Sequence, residues 1–292
     1  MAGCVRRFRF RDGKSLILGE RTLVMGILNV TPDSFSDGGR WNRVDLAAAH
    51  MEQMVADGAD IIDIGAESTR PGAHPLSEEE EIRRLRPFLE ALLPLCPVPV
   101  SVDTFRAKTA EMAAGLGVHL LNDIWGLQHG EEPGAMARVA AEAGLPVVAM
   151  HNQEGTAYRG DIIASMQAFF RNTFAAADRA GLSRESIIID PGIGFGKAPE
   201  ANLVVLHRLA ELKEMEGAVW PMLLGPSRKS FIGHALGLPL EERMEATGAA
   251  CVMGILAGAD IVRVHDVKPI ARMCRMADAI RNAGSGAHGV QE

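Results

Sequence analysis

The sequence predicts an α/β chain folded as one (β/α)8 TIM barrel with a short N-terminal β-hairpin. Three observations predict it. Eight short apolar runs recur along the chain with helix-like stretches between them, the rhythm of parallel β/α units. Nearly every run ends in a polar residue, and the C-terminal ends of barrel strands converge on the catalytic face. The length, 292 residues, suits one barrel of about 250 residues plus a small extension.

Residues 1–20 form the extension: Phe8 and Phe10 alternate, Asp12-Gly13 marks a turn, and SLIL follows. A hairpin placed there most simply plugs the bottom of the barrel, away from the site. From residue 21 to 282 the chain reads as a single barrel without a linker. Its runs are RTLVMGILN ending at Asn29, DIIDIGAEST ending at Glu67 to Thr69, VPVSVD at Asp103, and VHLLND with Asn122. They continue with LPVVAMH at His151, SIIID at Asp190, VWPMLLG before the Ser227–Ser230 turn, and DIVRVH with Arg263 and His265. Helices are predicted at 44–57, 77–93, 105–116, 134–143, 160–181, 199–215, 240–257 and 267–282. Pro133 and Gly144 bracket the fourth as start and stop signals. Residues 283–292, Gly-rich and polar, are predicted to form a flexible tail. TPDSFSDGGRWN and STRPGAHPLS are long for βα loops of about 2–6 residues, and both fall on the catalytic face as candidate lids.

A net charge of −7, from 30 basic and 37 acidic side chains, argues against broad nucleic-acid or membrane binding. It leaves room for a small anion in a local basic pocket. Cys4, Cys96, Cys251 and Cys274 are far apart and form no C-x-x-C pair, which suggests reduced thiols and a cytoplasmic setting. The basic N-terminus lacks the apolar segment of a signal peptide, and no apolar run is long enough for a membrane span.

Strand alternation sorts the side chains. Val262 and Val264 face the helices while Arg263 and His265 face inward; Val100 and Val102 face outward while Ser101 and Asp103 face inward. By the same parity Asp190 joins Ile188, Asn122 joins Leu120, and Asn29 joins Met25 and Ile27 inside. Each taken singly has a plainer reading: a strand-end Asp is a common helix cap, and Arg263 with Asp190 makes a simple internal ion pair. Five strands aiming polar groups at one mouth favour a site, because buried charges are costly unless paired or liganded. Ser227, Arg228, Lys229 and Ser230 offer two cations and two hydroxyls after the seventh strand, where such barrels commonly bind phosphate. GIGFGK (192–197) lacks phosphate-loop spacing; its glycines suit a tight turn with Phe195 at the tip. There is no H-E-x-x-H, Cys/His cluster or G-x-S-x-G, which sets aside zinc and serine hydrolases.

At these residues the chain resembles the dihydropteroate synthases. GILNVTPDSFSDGG and DIGAESTRPGA resemble the family's two signatures, and VSVDT, LNDI, IIIDPGIGFGK, GPSRKSFIG and DIVRVHDV follow in its order over roughly residues 23 to 280. The resemblance implies a pterin-binding barrel that condenses 6-hydroxymethyl-7,8-dihydropterin diphosphate with 4-aminobenzoate. It implies that Asp103, Asn122, Asp190, Lys229 and Arg263 bind the pterin, and that Thr69, Arg70, Phe195 and Ser230 line the aminobenzoate site. It further implies that Asn29, Arg263 and His265 hold the diphosphate with Mg2+ near Asn29. Asp103, Lys229, Arg263, His265 and Asp33 are then the catalytic set, with Asp33 on a first loop that closes over the reacting centre. Sulfonamide binding and a homodimer through the last two helices also follow, and the largely apolar TGAACVMGILAGAD (247–260) is read as part of the interface. Asn152 and Ile193 depart from the family's common pattern. The nearest alternative is a pterin-barrel methyltransferase, but it has no use for both the SRKS turn and the Arg263–His265 strand end. A non-catalytic pterin-binding barrel would be expected to have lost Lys229 or Arg263.

Overall fold

A computed structural model describes residues 5–31, 40–67, 76–130 and 134–283. Asp33, Thr69, Arg70, Cys4, Pro133, most of both long loops and the tail after Ala283 lie outside the described residues.

Strands β1 (Arg6–Arg9) and β2 (Ser15–Leu18) form the expected antiparallel hairpin. The turn closes where Gly13 adopts φ 88° and the Asp12 carboxylate accepts the Lys14 N–H at 3.1 Å. Leu16 and Leu18 enter the barrel's lower core, beside Leu23, Ile61, Leu120, Ile188 and Ile261. Burying a leucine side chain is worth about 1.5–3 kcal/mol, so these two contacts hold a hairpin too small to be stable alone. His119 fastens it further: its Nδ1 accepts the Val100 N–H at 3.0 Å and its Nε2 lies 2.9 Å from Asp12.

The barrel strands are β3 (Leu23–Asn29), β4 (Ile61–Gly65), β5 (Val100–Asp103), β6 (Leu120–Asp123), β7 (Val147–Met150) and β8 (Ile187–Asp190). A small hairpin of β9 (Glu214–Met215) and β10 (Ala218–Val219) intervenes before β11 (Leu223–Leu224) and β12 (Ile261–Val264) complete the set. The eight are parallel in the order β11-β12-β3-β4-β5-β6-β7-β8, and a bridge between Ile189 and Met222 joins the ends into a ring. Alternation divides them as the sequence predicts. Val24, Ile62, Val102, Leu121 and Val262 pack outward against helices, while Met25, Leu120, Val148, Ile188 and Ile261 fill the inside.

The helices are α1 (Arg40–Ala56), α2 (Glu78–Leu92), α3 (Ala107–Leu116), α4 (Ala135–Ala143), α5 (Ile162–Ala180), α6 (Pro199–His207), α7 (Ser230–Leu236), α8 (Met244–Leu256) and α9 (Val267–Ala283). Their ends follow local chemistry: Ser77 caps α2 and Asp161 caps α5 with side-chain oxygens, and Gly144 ends α4 with φ 68°. Asp278 of α9 accepts both the backbone N–H and the hydroxyl of Thr22 at 2.8 Å, tying the last helix to the start of β3.

Two readings are corrected. The helix expected over 199–215 stops at His207, gives one 3-10 turn at Leu209–Leu212, and turns back as β9–β10 around Glu216 and Gly217. Trp220 explains the break: it stacks on Phe174 with centroids 3.8 Å apart, and its indole N–H donates to the Met215 carbonyl at 3.0 Å. A continued helix would forfeit both contacts. The second correction is α7, a short helix that begins directly from the Ser227–Ser230 turn and that the pattern of apolar residues does not predict.

Candidate active site

The inward residues at the strand ends meet in one mouth. Arg263 of β12 is its hub: Nε donates to Asp63 Oδ2 at 2.6 Å and Nη2 donates to Asp103 Oδ2 at 2.7 Å. Asn122 Nδ2 donates to the same Asp63 oxygen at 3.1 Å. Asp63 and Ser101 are fully buried, and among the described residues Asp63 Oδ1 and Ser101 Oγ find no hydrogen-bond partner. The two face each other across β4 and β5. Such orphaned atoms are rare, and here they make the floor of the mouth polar. The internal pair suggested for Arg263 with Asp190 does not form; Arg263 is held from the opposite side.

Asp190 ends β8, where Oδ1 accepts the Gly192 N–H at 2.7 Å. The following turn needs its glycines: Gly192, Gly194 and Gly196 have φ of 65°, 84° and 55°. A Cβ at Gly192 would lie 1.9 Å from the His151 carbonyl oxygen. Lys229 reaches in from the turn before α7, donates to the Ile193 carbonyl, and places its ammonium 4.3 Å from the centre of the Phe195 ring. The Ile193 departure therefore leaves the site intact, since its side chain is buried in the outer core and only its carbonyl meets Lys229. Asn152 is buried, and its side-chain oxygen accepts the N–H of Gln153.

The Ser227–Ser230 turn differs from its sequence reading. Arg228 adopts φ 55° and forks onto Asp266 at 2.8 and 2.5 Å, so its charge is already matched. Ser227 Oγ accepts the backbone N–H of His265 at 3.1 Å and sits 2.9 Å from its Nδ1, which orients the ring. Ser230 is exposed at the first position of α7. Of the predicted diphosphate set, Arg263 and His265 emerge together from β12, and Asn29 pairs with Gly65 at the upper end of β3.

Burial governs the electrostatics. It raises Asp190 above the ordinary carboxylate value, opposed by Lys229. Burial and Asp63 likewise raise Asp103 against the pull of Arg263. Lys229 is lowered to about 8 by burial, with Asp190 working to keep it charged. Arg263 goes the other way, because Asp63 and Asp103 outweigh the cost of burying it. Three carboxylates, two cations and a carboxamide thus share a desolvated mouth, suited to a polar ring with N–H edges that carries an anion.

Two buried residues, Asp63 and Lys197, stand outside the set that sequence reasoning picks out. Asp63 shares the inward parity of Ile61 and Gly65, so alternation alone is enough to place it inside. Lys197 Nζ is buried and lies 2.9 Å from His151 Nδ1, within 3.0 Å of two turn carbonyls. Nothing in its spacing signals this.

A barrel mouth of this kind belongs to the pterin-binding enzymes: the family model described as "Pterin binding enzyme" matches residues 25–265. The chain is 50% identical over 270 residues to the dihydropteroate synthase of Bacillus subtilis, covering 92% of each. It superposes with a TM-score of 0.85 on the Clostridium difficile dihydropteroate synthase solved in the presence of pteroic acid, at 48% identity over 90% of this chain and 98% of that one. It superposes equally, TM-score 0.85, on a Yersinia pestis dihydropteroate synthase in a sulfonamide drug complex, at 42% identity over 95% of this chain and all of that one. The chain belongs to the dihydropteroate synthase family, transferases of folate biosynthesis.

Proposed function

We propose that this mouth condenses 6-hydroxymethyl-7,8-dihydropterin diphosphate with 4-aminobenzoate, giving 7,8-dihydropteroate and diphosphate. The observation that carries the reading is Arg263 held between Asp63 and Asp103, with Asn122, Asp190 and Lys229 around the same opening. Asp190 accepts two N–H bonds from the amidine-like edge of the pterin, one oxygen being already steadied by Gly192. Asp103 and Asn122 take the other ring edges. Arg263, His265 and Asn29 receive the diphosphate. Lys229 and Phe195 border the aminobenzoate position with Ser230.

The bond between the pterin methylene and the bridging oxygen breaks first, its electron pair leaving with diphosphate. Arg263 and His265 lower the cost of that charge. The methylene cation spreads into the ring, where Asp103 and Asp190 face it. The amine lone pair then forms the C–N bond and the ammonium proton is released; a cation needs no strong base to activate its nucleophile. Mg2+, when bound, would neutralise further diphosphate charge. Asn29 would hold it through its side-chain oxygen. Sulfonamide drugs, which mimic 4-aminobenzoate, compete beside Phe195.

Purified protein given both substrates and Mg2+ is expected to release dihydropteroate and diphosphate in equal amounts, and to slow when Mg2+ is chelated. Pterin binding without product would favour a methyltransferase or a plain binding protein.

Met253 and Leu256 on α8 and Met276 and Ile280 on α9 are more than half exposed, which supports a homodimer through the last two helices. Sedimentation is expected to give a dimer that Met253→Glu with Met276→Glu converts to monomer; an unchanged dimer would place the interface elsewhere. Cys96, Cys251 and Cys274 are buried free thiols, in keeping with a reducing cytoplasm. No helix among the described residues is long and apolar enough to cross a membrane.

A further inference from the structure

We infer that Lys197 is a positioning residue: its buried ammonium, set against His151, builds the 192–196 turn that aims Asp190, Phe195 and Lys229 at the substrates. The inference rests on the pterin and aminobenzoate assignments above.

Lys197 is 6% exposed, and no carboxylate pairs with it among the described residues. Burial and the nearby Lys229 lower it to about 7 while Asp190 works to keep it charged, and a buried ammonium held without a direct partner carboxylate is costly. Its three N–H bonds are fully used. They go to the Gly192 carbonyl at 3.0 Å, the Phe195 carbonyl at 3.0 Å and His151 Nδ1 at 2.9 Å. The first two carbonyls bracket the turn, so one atom fixes both of its ends. The third bond requires His151 to accept through Nδ1. Burial and the Lys197 charge hold that ring neutral, so one of its two nitrogens is free to accept, and the tautomer protonated at Nε2 is the one that receives Lys197. His151 is itself fixed edge-on to Phe169, with centroids 4.8 Å apart.

Each substrate contact made by this turn passes through the same few atoms. The Gly192 N–H orients Asp190 at 2.7 Å, the Ile193 carbonyl receives Lys229, and the Phe195 ring underlies the Lys229 ammonium. The glycines are left-handed and have little preference of their own for this path. Asn202 adds one support, accepting the Gly194 N–H at 2.6 Å. Lys197 supplies the rest through the Gly192 and Phe195 carbonyls.

Lys197→Met tests this, because methionine matches the volume and removes only the donors. In steady-state assays kcat/KM is expected to fall on the order of 100-fold, mostly through a raised KM for both substrates, with the thermal midpoint moving little. His151→Phe, which keeps a ring against Phe169 but removes the acceptor, is expected to raise both KM values by a smaller factor. If Lys197→Met fails to fold, His151→Phe decides: raised KM values support the positioning role and parental values overturn it. A folded Lys197→Met with parental KM values, losing only thermal stability, would overturn it as well. Parent protein that binds neither substrate would refute the functional reading, whereas parent binding matched by both variants refutes only this inference.

Discussion

Lys229→Ala is expected to lower kcat/KM on the order of 100- to 1000-fold, the scale of losing one preorganised donor at a reacting centre, while the barrel stays folded. Lys229 comes from the turn before α7 and touches the site at the Ile193 carbonyl and over the Phe195 ring. No barrel strand depends on it. Its removal also withdraws the charge that opposes burial at Asp190, so that carboxyl rises further above its ordinary value. A protonated Asp190 cannot accept both N–H bonds of an amidine-like edge, so pterin binding weakens along with chemistry. The pH profile carries a second signature. Burial lowers Lys229 to about 8 in the free protein, so parental kcat/KM should decline as pH rises through that value and the ammonium is lost. The variant should lack that limb. Parental turnover in Lys229→Ala, measured as dihydropteroate released, would remove Lys229 from the mechanism.

Asp63→Ala should be the most damaging single change at the floor of the mouth, in both stability and turnover. Asp63 is fully buried and accepts from Arg263 Nε at 2.6 Å and from Asn122 at 3.1 Å. Deleting it strips Arg263 of one of its two carboxylates and leaves the buried Asn122 amide without its acceptor, at a cost of about 1–3 kcal/mol. Asp103 still holds Nη2, so Arg263 keeps one anchor at 2.7 Å and pivots about it. A guanidinium displaced by about 1 Å loses on the order of 100-fold in rate. Asp63→Asn keeps an acceptor for Nε and should fall between parent and alanine in both readouts. Denaturant midpoints and kcat/KM measured together would test this. An Asp63→Ala protein as stable and as active as its parent would mean that Arg263 is oriented by something else.

Strand alternation makes most of the mouth legible in the sequence. A period of two places Ser101, Asp103, Asn122, Asp190 and Arg263 inside, and Leu120, Val148 and Ile188 beneath them, because one face of each strand must fill the barrel. The hairpin is legible for the same reason, its SLIL run having nowhere to bury except the barrel floor. Asp63 obeys this rule too, but it sits in mid-strand, and the polar run that closes the same segment, Glu67 to Thr69, is the more conspicuous signal. What alternation does not carry is pairing. Whether Arg263 turns to Asp190 or to Asp63 and Asp103 depends on where the ring closes, and that is a property of all eight strands. Arg228 and Lys229 are adjacent cations in the sequence, yet one is spent on Asp266 and the other enters the mouth, because the left-handed backbone at Arg228 turns them apart. The break after His207 likewise depends on Trp220 meeting Phe174, 46 residues earlier in the chain, and helical periodicity contains no trace of it.

The secondary isotope effect at the pterin methylene tests most directly whether this mouth ionises its substrate. Single-turnover rates would be compared for pterin diphosphate carrying hydrogen or deuterium on that carbon, at saturating 4-aminobenzoate. Loss of diphosphate ahead of attack flattens the methylene in the transition state, so the hydrogen substrate should react measurably faster. Equal rates, or a faster deuterated substrate, would mean that the amine displaces diphosphate directly, and that Asp103 and Asp190 bind the ring without stabilising a cation.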